Sequence, residues 1–219
     1  MQHALQTIFD FFGSAICHQM AERSFFPSGI QNPVCARCTG IEAGVVFGIL
    51  FLWLAKRKDG NQPFSLCEIL LAAFSLVPMA VDGVGSYLGF WESINLLRVV
   101  TGAMAGYGMP ALFLLAANFM PTQKNDVPIY RNFKEQILLM LVTIGYGILV
   151  WCNVLPYWMV ASISAMGVVC VYGCFWYLFL RIGTQKRRFP CVPVAILGGM
   201  GTVELVASLI LLVRTHYMA

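Results

Sequence analysis

Eight cysteines are spread along this chain. Three of them, Cys17, Cys35 and Cys38, lie in one short stretch ending just inside a hydrophobic run, with His18 beside the first. The Cys-Ala-Arg-Cys element at 35–38 is a C-x-x-C knuckle, a spacing that lets two thiolates meet one ion. Cys17 and His18 complete a Cys3His set, a recurrent zinc arrangement. Neighbouring side chains tend to diverge, so Cys17 or His18 alone with the knuckle, leaving one open position, fits equally well. Thiolates suit zinc, and also Cu(I) or iron. An ion with an open position can activate water.

Two other chemistries fit the same residues. A C-x-x-C pair at a helix N-terminus supports thiol–disulfide exchange. Cys17 would then pass electrons to Cys35 and Cys38, and a membrane quinone would accept them. The plain structural alternative is a disulfide that pins a loop, although three cysteines leave one odd. The remaining five, Cys67, Cys152, Cys170, Cys174 and Cys191, lie in or beside apolar runs and read as packing.

A second group carries charge. Asp82 and Arg98 fall within or near apolar runs, where an ionisable group is costly and faces a partner or a wet cavity. The simplest pairing joins them, with Asp82 orienting Arg98 or acting as a base. These two are the candidate catalytic residues. Arg23, Arg37 and Arg98 offer guanidiniums suited to a phosphate or carboxylate. Asn95 and Thr101 bracket Arg98, and Asn95, Arg98 and Gly102 share one helical face. Arg23, Arg37, Asn95, Arg98 and Thr101 are therefore the candidate ligand-binding set. Glu204 is a further intramembrane carboxylate, placed for a relay in a transporter. Trp91, Tyr157 and Trp158 read as an interfacial aromatic belt.

These groups need elements to hold them. The chain has 219 residues, 59% hydrophobic and 11% charged, with a mean hydropathy of +0.75. Soluble domains carry about 25% charged residues, so the composition points to an all-α integral membrane protein. Apolar runs long enough to span a bilayer are expected at about 38–55, 64–87, 94–119, 135–153, 157–181 and 191–213. The stretch 3–17 is short for a span, lacks the basic start of a secretory signal, and is expected as an amphipathic interfacial helix. Residues 1–37 would form that helix and a Cys/His-rich outer loop, and 38–219 the polytopic domain, the two as one unit. Glycines at four-residue spacing, Gly40, Gly44 and Gly48, and Gly102 and Gly106, favour close helix contact.

Basic residues set the orientation. If the first span runs inward, Lys56, Arg57, Lys58, Lys124, Arg131, Lys134, Arg181, Lys186, Arg187 and Arg188 all fall inside, against Arg23, Arg37, Arg98 and Arg214 outside. The positive-inside rule then places the cysteine stretch, Asp82 and Arg98 at the outer end. The basic pI of 8.6 thus reports topology and does not argue for nucleic acid.

The run "CHQ…RSFF…G…PVCARCTG" followed by "DG…E…NLLRVVTG", from Cys17 to Gly102, resembles the DUF2085 family of bacterial and archaeal membrane proteins. The resemblance implies a cell-membrane location and a functional site in this half, without naming a reaction. Glu42 departs from the pattern, which has an uncharged, often aromatic, residue there, and is not carried over as a site residue. The reading is a six-span protein with an outer Cys/His metal site, zinc first, beside an Asp/Arg pair. It would act on an anionic lipid or another anionic small molecule. A quinone-coupled thiol oxidoreductase and a small-solute or ion transporter are the alternatives. The sequence leaves the oligomeric state open.

Overall fold

The computed structural model describes residues 2–184 and 191–217. Eight α-helices account for most of them: α1 Gln2–Ser14, α2 Ala36–Leu54, α3 Leu66–Tyr87, α4 Asn95–Gly106, α5 Met109–Asn118, α6 Phe133–Trp151, α7 Tyr157–Thr184 and α8 Cys191–Tyr217. Two short 3-10 turns, Ala21–Arg23 and Pro27–Gly29, lie between α1 and α2. Among the described residues there is no strand.

Six helical segments are long and apolar enough to cross a bilayer, α4 and α5 together making one of them. They fall where the apolar runs predict. The third span differs from a single helix: it is interrupted at residues 107–108, between α4 and α5. Pro110 sits in the first turn of α5, where its missing N–H costs nothing, whereas within a continuous helix its ring would clash with the carbonyl of Gly106.

Burial is uneven. About half of the α2 span and of the α4–α5 span is buried, against 17% for α3, α7 and α8. α2 is the central post, in contact with α4, α5, α6 and α7. Its glycines explain the close approach to α4: a Cβ at Gly44 would press on the backbone of Gly106 and Tyr107, and one at Gly40 on Val99 and Ala103. The residue numbers rise together along both helices, so the two run parallel, backbone against backbone.

α1 has 13 residues and rises about 20 Å, short of a hydrocarbon core of about 30 Å. It leans on α7 and α8. Phe9 meets Tyr157 edge-on at 6.4 Å and Trp158 at 6.2 Å. Tyr157 is thus buried beneath α1, 1% exposed, and is no member of an interfacial belt.

The two ends of the bundle differ in charge. Arg57 donates to Pro128 O (3.3 Å), Asn118 to Lys58 O (3.1 Å), and Arg181 to Asn118 Oδ1 (2.7 Å). These bonds gather the loops after α2 and α5 and the end of α7, with their basic residues, at one end. Lys186, Arg187 and Arg188 lie outside the described residues, as does the side chain of Arg214. The cysteine stretch, the C-terminus of α3 and the N-terminus of α4 occupy the opposite end.

Candidate metal centre

Cys17 leaves α1 through a turn in which its N–H bonds Gly13 O (3.0 Å). Gln19 then adopts a left-handed conformation, φ 54°, and its side chain ties the segment down. Its Nε2 donates to Asp10 O (2.6 Å) and to Pro33 O (3.0 Å), and its carbonyl accepts from Gln31 Nε2 (2.9 Å). Cys35 pairs with Ser24 in an isolated antiparallel bridge and serves as the N-cap residue of α2. Thr39 Oγ1 holds the Cys35 carbonyl (3.1 Å). Cys38 follows in the first helical turn.

This framework brings Cys17 against the knuckle across 18 residues of sequence, with the Cys35 N–H donating to Cys17 Sγ (3.1 Å). The Gln19 N–H points at the same sulfur (3.5 Å). The three sulfurs lie within 4.8 Å of one another. Sulfurs each about 2.3 Å from a tetrahedral ion stand about 3.8 Å apart, so the group can hold a metal ion. All three thiols are free; Cys17 is buried and the other two half-buried. Hydrogen bonds from the Cys17 and Cys38 thiols, then from the Cys38 and Arg37 N–H groups, hold the Cys35 thiol well below its ordinary range. The reciprocal bond to Cys35, with burial, pushes Cys17 up.

His18 does not join this group. Its side chain is exposed and lines, with Cys17, an open groove of about 450 Å³ between the end of α1 and Leu209, Ile210 and Val213 of α8. Consecutive side chains diverge here, so among the described side chains no histidine joins the three cysteines.

The charged residues are arranged differently from the simplest pairing. Asp82, 3% exposed, forms its ion pair with Arg37 and not with Arg98. Its other oxygen, Oδ1, has no hydrogen-bond partner. Arg98 donates to Asn95 Oδ1 (3.0 Å), and Asn95 Nδ2 to Ser24 O (3.2 Å), which links α4 to the loop carrying the cysteines. Arg23, Arg37 and Asp82 lie within electrostatic reach of Arg98. Thr101 turns away from any ligand: buried at 2%, its hydroxyl donates to Leu97 O (2.8 Å) and Arg98 O (3.2 Å) of its own helix. Glu204 is exposed on α8, which removes it from a shared path with Asp82 and Arg98. Cys67 and Cys152 are also exposed rather than packed inside.

Sequence reasoning missed three contributors. Gln19 and Asn32 carried no signal, since their roles depend on loop closure. Asn32, fully buried, donates to Val34 O (3.2 Å) and Thr39 Oγ1 (2.9 Å). The third is Glu42, 1% exposed on α2, whose charge inside an apolar run was the available signal.

Fold and site together define a polytopic helical membrane protein with a three-cysteine group capping its central helix. The chain belongs to the DUF2085 family of predicted membrane proteins, whose profile matches residues 17–112. An uncharacterized protein of Methanothermobacter thermautotrophicus is 38% identical over 97 residues, 44% of this chain and 83% of that relative. One of Methanocaldococcus jannaschii is 44% identical over 94 residues, 43% of this chain and 58% of that relative's length. No solved structure matches.

Proposed function

We propose that this protein is a metal-dependent membrane protein acting on an anionic amphiphile at the outer face of the membrane. Cys17, Cys35 and Cys38 hold the ion, zinc by donor type, and the fourth position stays open for water or ligand. Arg98 and Arg23, which make no ion pair among the described residues, attract the anionic headgroup, with Asn95 steering Arg98. Asp82 fixes Arg37 beside them. The basic residues at the opposite end support an inner location for that end and an outer one for the cysteines. The observation that carries this reading is the convergence of three free thiols within 4.8 Å.

The test is elemental mass spectrometry on protein purified in detergent without chelator, beside a variant with Cys35 and Cys38 both changed to Ser. About one metal per chain, absent from the variant, supports the reading. No metal in either sinks it.

A second reading draws on the groove beside Cys17. Its apolar α8 wall would admit a quinone from the bilayer. Two thiols would close to a disulfide, and their two electrons and two protons would reduce the quinone to quinol. This reading expects metal-free protein whose thiols are oxidised on adding a soluble quinone.

A further inference from the structure

Beneath the cysteines, the seam between α2 and α7 is polar where a membrane interior is normally apolar. Thr39 of α2 and Ser164 of α7, both almost fully buried, face each other through Asn32, whose Nδ2 lies 2.9 Å from Thr39 Oγ1 and 3.4 Å from Ser164 Oγ. One turn deeper on both helices, Glu42 meets Gly167. A Cβ at Gly167 would lie 2.7 Å from Glu42 Oε2, so only glycine there leaves room for the carboxyl. Two acceptor oxygens in this seam, Asn32 Oδ1 and Glu42 Oε2, are buried with no hydrogen-bond partner.

An ionised carboxylate without partners is among the costliest groups to bury. The carboxyl therefore binds a positive species. A metal is disfavoured, because the one metal-ligand group among the described residues is the three cysteines, and Glu42 is not in it. Among the described residues, no basic group is in electrostatic reach of it. The titratable groups in electrostatic reach are Cys35 above, and Cys170 and Tyr172 of α7. α4 meets α2 with Gly102 and Gly106, α5 meets it with Pro110 at Gly48, and α6 brings Tyr146 onto Phe47.

We propose that Glu42 is a proton-binding site of the membrane interior, set one turn beneath the buried Thr39–Asn32–Ser164 group and exchanging its proton with solvent. It lies beneath the three cysteines, with Cys35 in electrostatic reach, and requires no ion there. It makes Glu42, rather than Glu204, the carboxyl available to a proton-coupled step.

Infrared difference spectroscopy on the full protein in liposomes tests this. The carbonyl stretch of a protonated acid should persist near neutral pH and shift on transfer to deuterium oxide. It should vanish in Glu42→Gln, and remain in Glu204→Gln and in the variant with Cys35 and Cys38 changed to Ser. Labelled glutamate, carrying a heavy carboxyl carbon, should move the band and so assigns it to a glutamate even if Glu42→Gln folds poorly. Absence of an acid band in the wild-type protein overturns the proposal. So does a band unmoved by labelled glutamate or by Glu42→Gln, and so does one that never shifts in deuterium oxide, since its proton does not exchange. Absence of metal from the wild-type protein, with the band intact, would count against the metal centre alone.

Discussion

Glu68 and Glu135, at the basic end of the bundle, and Glu42 and Asp82, toward the cysteine end, put the same chemical group to opposite uses. Glu68 Oε2 accepts from Ser65 N (2.7 Å) and Ser65 Oγ (2.9 Å), completing a capping box at the start of α3. Glu135 accepts from Arg131 N (2.8 Å) in the first turn of α6. Both carboxylates serve helix termini. Glu42 and Asp82 instead each keep one buried oxygen with no partner. Asn118 and Arg181 lace the basic end as well. The carboxylates at one end close helix termini, and those at the other each keep an unpaired oxygen inside the bundle.

The largest effect that tests this contrast is on metal content. Cys17→Ser should lower it from about one ion per chain toward zero, because two remaining thiolates hold an ion poorly. Asn118→Ala, at the basic end, should leave the stoichiometry intact while lowering the detergent melting temperature. Equal loss of metal in both variants would erase the distinction. Next comes Asp82→Asn, which strands Arg37. Breaking a buried pair costs about 3 kcal/mol, the low end of the usual range, since Arg37 keeps 26% exposure; Arg98→Gln should cost much less. A cost for Arg98→Gln as large as for Asp82→Asn, in thermal or chemical unfolding, would mean that Arg98 shares the pair.

Smaller effects sharpen the picture. Gln19→Ala removes two side-chain hydrogen bonds, worth about 1 kcal/mol each. By loosening Cys17 it should also weaken metal affinity by roughly tenfold or more, read in competition with a chromophoric chelator. Ser65→Ala should cost about 1 kcal/mol of stability through the lost cap and leave metal affinity unchanged. A change in affinity there would show that the two ends are coupled.

What could be read from sequence was depth along the membrane, and what could not was rotation about each helix. Hydropathy placed the six spans, and the basic loops sorted their ends, because length and charge are properties of a segment alone. The gathering of Cys17 with Cys35 and Cys38 was legible from type and spacing. Asp82 was correctly seen to need a partner, yet Arg37 and Arg98 sit at similar depth, and only the packing of α2, α3 and α4 decides between them. The same blindness explains Glu42 and Glu204. Both lie in apolar helices, but α2 is the central post and α8 is peripheral, and hydropathy does not say which helix is surrounded. The interruption of the third span was legible in Pro110, whose ring disfavours a continuous helix through the preceding turn.

The most direct test of the central claim is X-ray absorption fine structure at the zinc edge, on the full protein loaded with one equivalent of zinc. A first shell of about three sulfurs at about 2.3 Å in the wild-type protein, with little zinc retained by Cys17→Ser, is the expected result. A shell of oxygen and nitrogen alone, or no zinc retained by the wild-type protein, would contradict the claim that these three cysteines form a metal centre.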